Sequence, residues 1–236
     1  PIYAAGGGCA RQHMNIAAER KAKLTMIVET LRRQGGIEPR RGVRMAGSDL
    51  PEYRYRRRVA LHIGKDGAIG YYRAGSGEVV PCAECLLAND RVNDAIRRLS
   101  PLGALSASYA GGVTIDEAGG RVELVLLLHS DRPPPRPEAL ERALRPLFAE
   151  FPFVRVEHRG KLLFVQHEGQ GDLFPAGRFS QVNPAANEVL VAEVLRAVSG
   201  EDVLELYAGA GNFSLPLARM GKRVHAVELD RAAAAT

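Results

Sequence analysis

Apolar residues recur at helical spacing in several parts of the chain. Over residues 15–33, five apolar side chains lie on one broad face among Glu, Lys and Arg, and the pattern ends at two adjacent glycines. This spacing predicts an amphipathic helix. Similar patterns predict helices over residues 92–99, 137–150 and 183–198. The last of these begins with Asn and Pro, two residues that favour the first turn of a helix.

Alternating apolar and polar residues predict a set of strands between these helices. The expected antiparallel pairs are residues 53–63 with 68–73, 109–115 with 121–129, and 153–158 with 161–167, and a short segment at 77–81 follows the first pair. Turn-forming residues separate the two members of each pair. Such hairpins are typical of an α+β domain with antiparallel strands, which we expect from about residue 45 to residue 170.

The stretch VLELYAGAGNFSLPLA, residues 203–218, has a different pattern. A buried strand is followed by a glycine-containing turn that opens a helix, and Gly209 and Gly211 allow backbone amides to approach a ligand closely. A second strand, KRVHAVEL, ends in Glu228 about 20 residues later, where doubly wound folds place a carboxylate on ribose hydroxyls. The pattern predicts a nucleoside-containing cofactor. An ordinary turn between a strand and a helix is the alternative.

Composition favours a folded intracellular protein. The chain has 236 residues, of which 46% are hydrophobic and 25% charged, so it can bury a sizeable core in one or two domains. We find no apolar run of about 18 residues and no secretory signal pattern, and we therefore expect a cytoplasmic protein without membrane spans. Three cysteines are too few for a disulfide framework and fit a reducing compartment with metal chemistry.

The positive charge is concentrated in the first part of the chain. Residues 1–60 contain thirteen Lys or Arg and five Asp or Glu, whereas residues 201–236 contain four and five. This asymmetry favours a polyanionic partner such as nucleic acid for the front part. A solvated charged face, or an arginine-rich genome, would explain the same numbers.

The order of motifs resembles the RNA 5-methyluridine methyltransferases, which use S-adenosylmethionine to methylate carbon 5 of uridine in transfer or ribosomal RNA. The resemblance rests on RFSQVNP, a helix, VLELYAGAGNFSLPLA and HAVEL, and earlier on GGGCARQH, YRYRRRVALHI and GYYRAGSGEVVPCAECLLA. It implies three parts: the remnant of a cysteine-rich iron–sulfur segment with a helix (1–44), a central RNA-contacting domain (45–170), and the start of a Rossmann-like class I methyltransferase domain (171–236).

The same resemblance implies a set of cofactor contacts in the last part. These residues are Gln181, Tyr207, Gly209, Gly211, Asn212 and Glu228. Glu228 would accept hydrogen bonds from both ribose hydroxyls, and Tyr207 would shape the pocket near the sugar and amino-acid portions. Gln181 and Asn212 would supply neutral polar contacts. Alternatively, Asn212 could cap the following helix and Gln181 could bond its own backbone.

The cysteines depart from the family pattern. The family holds a four-iron cluster with C-x5-C-x-x-C and a distant fourth cysteine, because such a cluster takes four thiolates. Cys9 matches the last of the trio and Cys85 the distant position, but Gly6 stands where the middle cysteine would be. We therefore expect no intact 4Fe-4S cluster. The candidate metal ligands are Cys9 and Cys85, with Cys82 as a substitute, and the alternative is that Cys82 and Cys85 are structural thiols.

A second departure concerns catalysis. In the family, the nucleophilic cysteine and the general base follow the second strand of the methyltransferase domain, so the resemblance implies that residues 1–236 contain no catalytic residue. We expect an N-terminal and central portion of a longer enzyme, inactive by itself. Two parallel strands would also leave apolar surface uncovered, because parallel sheets are normally buried on both faces.

The implied reaction is addition of a cysteine thiolate to carbon 6 of a flipped-out uracil, methyl transfer to carbon 5, and removal of the carbon 5 proton by a base. RNA phosphates would be held by Arg56, Arg57, Arg58 and Arg73, although strand arginines could equally pair with neighbouring acids. Two other functions stay open: an RNA-binding module that has lost catalysis, and a methyltransferase that acts on a small molecule or a protein.

Overall fold

The structure is a computed structural model that describes residues 8–9, 11, 13–39, 42–100, 107–167 and 180–234. The chain divides into two compact units. The first unit combines Pro1–Arg44 with Pro51–Ala176, and the second combines Met45–Leu50 with Gly177–Thr236. The domain boundaries expected after residues 44 and 170 stay a prediction.

The first unit contains a mixed sheet and three helices in its described part. The helices are α1 (Ile16–Gly35), α2 (Asp90–Leu99) and α3 (Pro137–Glu150). The strands are β1 (Arg58–Ile63), β2 (Ile69–Tyr72), β3 (Val79–Pro81), β4 (Ala110–Ala118), β5 (Arg121–Leu128), β6 (Phe153–His158) and β7 (Lys161–His167). Their order in the sheet is β3-β2-β1-β4-β5-β6-β7. The predicted hairpins β1–β2, β4–β5 and β6–β7 are confirmed as antiparallel pairs.

Two details of the sheet differ from the sequence prediction. The expectation of antiparallel strands is wrong for β5 and β6, which pair in parallel, because α3 returns the chain to the same end of the sheet. The first strand begins at Arg58 and not at residue 53. The preceding segment instead joins the loop before α2, where Arg54 N and Arg56 N donate to the carbonyls of Leu86 and Leu87 at 3.0 and 2.7 Å.

The core of the first unit lies on one face of the sheet. It is formed mainly by Val59, Leu61, Val113, Ile115, Leu124, Leu126, Val154 and Val156 from the strands and by Val92, Ile96, Leu99, Leu140, Leu144 and Leu147 from α2 and α3. Because side chains alternate along a strand, their neighbours lie on the opposite side, which we call the outer face. The outer face includes Arg58, Ala60, His62, Tyr72, Gly112, Thr114, Asp116, Glu123, Val125, Leu127 and Arg155.

The second unit contains a strand, helix, strand arrangement after a longer helix. Its elements are α4 (Pro184–Ala197), β8 (Asp202–Leu206), α5 (Ser214–Arg219), β9 (Arg223–Val227) and α6 (Arg231–Ala234). β8 and β9 pair in parallel, as predicted. The predicted uncovered apolar surface is also present in the described residues, since Leu204, Leu206 and Val227 are all more than half exposed.

None of the described helices combines the length and the apolar character needed to cross a bilayer.

Candidate functional site

The loop after β8 has an unusual backbone. Tyr207, Gly209 and Gly211 have φ angles of 60°, 57° and 82°. Glycine adopts such angles freely, but in tyrosine they are strained, and strain of this kind concentrates at functional sites. The Tyr207 side chain is 91% exposed, so no packing explains its conformation. The strain at Tyr207 therefore marks the loop as a candidate ligand site.

Glu228, directly after β9, holds this loop in place. Its Oε2 accepts from the Gly209 backbone N–H at 2.8 Å, and its Oε1 accepts from the Asp230 N–H at 2.8 Å. These bonds, first that from Asp230 and then that from Gly209, lower the pKa of Glu228. The side chain is therefore an ionised carboxylate at neutral pH. The carboxylate can still accept a hydrogen bond from a further donor such as a ribose hydroxyl.

Two further contacts connect the loop and α5 to the strands. The buried Ala208 donates its N–H to the Val227 carbonyl at 3.1 Å, and Ser214 Oγ donates to the carboxylate of Glu205 in β8. The strand predicted over residues 222–229 is shorter than expected and ends at Val227. Glu228 leaves the strand because both of its oxygens bind backbone amides of the surrounding turns.

Asn212 has a partner that the sequence did not reveal. Its side-chain amide forms two reciprocal hydrogen bonds with Asn187 of α4, at 2.9 and 3.0 Å. The alternative in which Asn212 caps the next helix is wrong, because the N-cap of α5 is Phe213. Asn187 lies one turn after Asn183, which caps α4.

Gln181 lies two residues before the α4 cap and is half-buried. Its contact with a cofactor stays a prediction, as does that of the other residues of the set.

The three cysteines border one pocket of about 400 Å³ in the first unit, together with Tyr71. Cys82 and Cys85 are buried, and Tyr71 Oη donates to Cys85 Sγ at 3.8 Å. Burial raises the pKa of Cys82 to about 11 and also raises that of Cys9. In the absence of a metal these two side chains are therefore neutral thiols at pH 7, whereas a nucleophile is a thiolate.

In the part of the chain that the structure describes, no three His, Cys, Asp or Glu side chains are arranged to hold a metal ion. Buried cysteines are typically structural, which was the alternative for Cys82 and Cys85. Metal binding by Cys9, Cys85 or Cys82 stays an untested prediction.

The arginines predicted to hold RNA differ in their surroundings. Arg58 pairs with the almost buried Asp116, and Arg73 pairs with Glu78 at 2.8 Å on the surface. Arg56 and Arg57 are half-buried just before β1. Internal pairing, the alternative for strand arginines, is therefore what the structure contains at Arg58 and Arg73, and the RNA role of all four stays a prediction.

The fold resembles that of a solved RNA-modifying enzyme. The structure superimposes on the crystal structure of Pyrococcus abyssi tRNA (uracil-54, C5)-methyltransferase in complex with S-adenosyl-L-homocysteine with a TM-score of 0.71 and 21% sequence identity. The match covers 97% of this chain and 59% of the other. The protein therefore has a mixed sheet with helices and is similar in fold to that methyltransferase.

Sequence comparisons give the family. Residues 162–236 match the family model tRNA (Uracil-5-)-methyltransferase. The chain is 32% identical to the 23S rRNA (uracil(1939)-C(5))-methyltransferase RlmD of Pseudomonas fluorescens (strain Pf0-1), covering 97% of this chain and 54% of the relative. It is 29% identical to RlmD of Shewanella sp. (strain MR-4), covering 97% and 56%. This chain belongs to the RNA 5-methyluridine methyltransferase family, as the motifs predicted, and spans about half the length of these curated relatives.

Proposed function

We propose that this protein serves in the S-adenosylmethionine-dependent methylation of carbon 5 of uridine in ribosomal or transfer RNA. The proposal rests mainly on the loop after β8. In this loop Tyr207 has a strained backbone, and the Gly209 N–H donates to Glu228, which directly follows β9. In open α/β sheets, ligands bind at the carboxyl ends of the strands. The relatives named above act on RNA, and the solved neighbour holds the demethylated form of the cofactor.

The loop and its neighbours fit such a cofactor. When bound, S-adenosylmethionine supplies an electrophilic methyl group on a sulfonium. Glu228 would bind the ribose hydroxyls through the free lone pairs of its carboxylate. Among the described residues, no atom lies within 4 Å of a β-carbon placed on Gly209, so the backbone there is open to the sugar and amino-acid portions, and Tyr207 offers an exposed ring beside it. Asn212 and Gln181 would supply neutral polar contacts in a Rossmann-like domain.

The three cysteines of this chain are not proposed as nucleophiles. A catalytic cysteine needs a lowered pKa, and burial raises the pKa of Cys9 and Cys82. Cys85 is buried and in contact with Tyr71. We therefore propose that the nucleophile and the general base of the family mechanism lie outside residues 1–236. We also propose that the enzyme is cytoplasmic.

A methylation assay tests this proposal directly. The protein encoded by the gene is incubated with methyl-labelled S-adenosylmethionine and either ribosomal or transfer RNA, and the labelled nucleotide is identified. Label in 5-methyluridine is the expected result. RNA binding without transfer would instead favour an inactive RNA-binding module, and label in a small molecule or protein would contradict the RNA substrate.

The Glu228→Gln variant should bind S-adenosylmethionine about ten- to a hundredfold more weakly, since hydrogen bonds to a charged group contribute about 1.5–3 kcal/mol. RNA affinity should not change. Calorimetric titration of the cofactor measures the effect, with Glu201→Gln, an exposed acid before β8, as the matched control. A cofactor affinity within twofold of wild type would contradict the ribose role.

The Asn187→Ala variant should raise KM for S-adenosylmethionine about three- to tenfold with little change in kcat, because Asn212 loses the two hydrogen bonds that orient it. Asn183→Ala is the control on the same helix: it removes the cap and costs about 1 kcal/mol of stability, but leaves Asn212 paired. Adding Asn187→Ala to Asn212→Ala should have no further effect. An additive double variant would show that Asn187 does not act through Asn212.

A further inference from the structure

A stacked aromatic pair stands on the outer face of the first unit. The rings of His62 in β1 and Tyr72 in β2 lie 3.6 Å apart between centroids and are inclined by 17°. Tyr72 is 43% exposed, and His62 is half-buried beneath it. The apolar residues of α2 and α3 pack on the opposite face of the sheet. The free side of the Tyr72 ring is therefore a flat surface open to a ligand.

On the adjacent strands, glycines lie directly opposite His62, whereas Val79 of β3 lies opposite Tyr72. His62 is paired with Gly70 on β2 and with Gly112 on β4, so neither strand places a β-carbon next to the imidazole. Only glycine fits at position 70, because a β-carbon there would lie 1.8 Å from the Val80 carbonyl oxygen. Beyond Gly112 lies Leu127, which is 41% exposed. The result is an aromatic platform with an apolar edge.

The charges around the platform suit a nucleotide. Burial lowers the pKa of His62, so the imidazole is neutral at pH 7 and the stack itself carries no charge. Arg73 follows Tyr72 directly, and its pair with Glu78 is exposed on both sides. Exposed ion pairs contribute little stability, so a phosphate can replace the carboxylate of Glu78.

We propose that the platform of Tyr72 and His62 binds an unpaired base of the RNA substrate by stacking on Tyr72, with Arg73 on the adjacent phosphate. Proteins recognise unpaired bases by stacking them on exposed aromatic rings, often on an open sheet face. The inference rests on the proposed function for the identity of the partner. It adds a binding surface in the first unit, separate from the cofactor loop.

Binding of a single-stranded oligoribonucleotide containing 2-aminopurine tests the proposal on the protein encoded by the gene. Fluorescence quenching should accompany binding to the wild type. Tyr72→Ala should weaken binding about tenfold and remove the quenching, whereas Tyr72→Phe should retain both. Tyr53→Ala is the matched control, since Tyr53 is also exposed, at 54%, but lies outside the strands. Arg73→Gln should make the decrease of RNA affinity with salt concentration less steep, by the amount expected for about one phosphate contact.

The outcomes separate this inference from the proposed function. RNA binding that survives both Tyr72→Ala and Arg73→Gln would overturn the platform and leave the proposed function intact. A wild type that binds no RNA would overturn both. Loss of binding in Tyr72→Phe would show that the hydroxyl, and not the ring, makes the contact, and would also overturn stacking. Thermal melting shows whether each variant is folded. If the Tyr72→Ala variant is not folded, RNA binding by the Arg73→Gln variant tests the proposal.

Discussion

Replacing Arg155 by methionine is expected to lower the free energy of unfolding by about 3–5 kcal/mol. Arg155 Nε donates to Glu123 Oε1 at 2.8 Å, and the two side chains are only 11% and 3% exposed. Asp116 is the residue directly opposite Glu123 in the β4–β5 pair. Without the guanidinium, two nearly buried carboxylates would face each other with too little positive charge to balance them, and denaturation with urea would measure the loss.

Two further variants show that the loss comes from the unbalanced charge. The double variant Glu123→Leu/Arg155→Met should recover most of the stability, because exchanging a buried ion pair for apolar side chains is often neutral. Arg73→Met breaks an exposed pair and should cost less than about 1 kcal/mol. An Arg155→Met variant as stable as Arg73→Met would contradict the interpretation.

The second large effect is expected for Asn93→Ala, at about 3 kcal/mol. Asn93 is completely buried in α2, where its Oδ1 accepts from the Cys85 N–H at 2.8 Å and its Nδ2 donates to the carbonyls of Cys85 and Ala88 at 3.0 and 2.8 Å. Alanine would leave buried backbone groups of the loop before α2 without partners. The unfolding free energy measures this cost.

The same variant has a second readout at the thiol pocket. Because Asn93 holds the backbone of Cys85 at both its N–H and its carbonyl, its loss should speed the alkylation of Cys85 in the folded protein. Asn89→Ala, which removes the N-cap of the same helix, should cost only about 1 kcal/mol and leave the alkylation rate nearly unchanged. Equal alkylation rates in the two variants would contradict the proposed anchoring of Cys85.

Local patterns predicted most of the elements correctly. The third hairpin was predicted with the bounds that β6 and β7 have, because alternation and turn residues act over a few positions. The turn expected over residues 116–120 is tighter, since Asp116 and Glu117 continue β4 opposite Glu123 and Val122. Polar residues do not interrupt a strand when the neighbouring strands supply backbone hydrogen bonds and an opposite charge, as Arg58 of β1 does for Asp116.

The candidate site was predicted in part. The spacing between the glycine loop and Glu228 was visible in the sequence, and the structure brings Gly209 and Glu228 into direct contact. The family likeness was carried by the same residues, and the comparisons agree with it. Asn187 was missed, because nothing local indicates which side chain a helix residue will meet 25 positions later.

The sequence by itself determined the helices, the hairpins, the cofactor-type loop and the family, because periodicity, turn residues and motifs depend on neighbours in the chain. Only the tertiary structure decided the parallel pairing of β5 with β6, the carboxylate that pairs with Arg58, the pocket shared by the three cysteines, and the stacking of His62 on Tyr72. Each of these depends on contacts between distant segments, which form only when sheet order and packing are set.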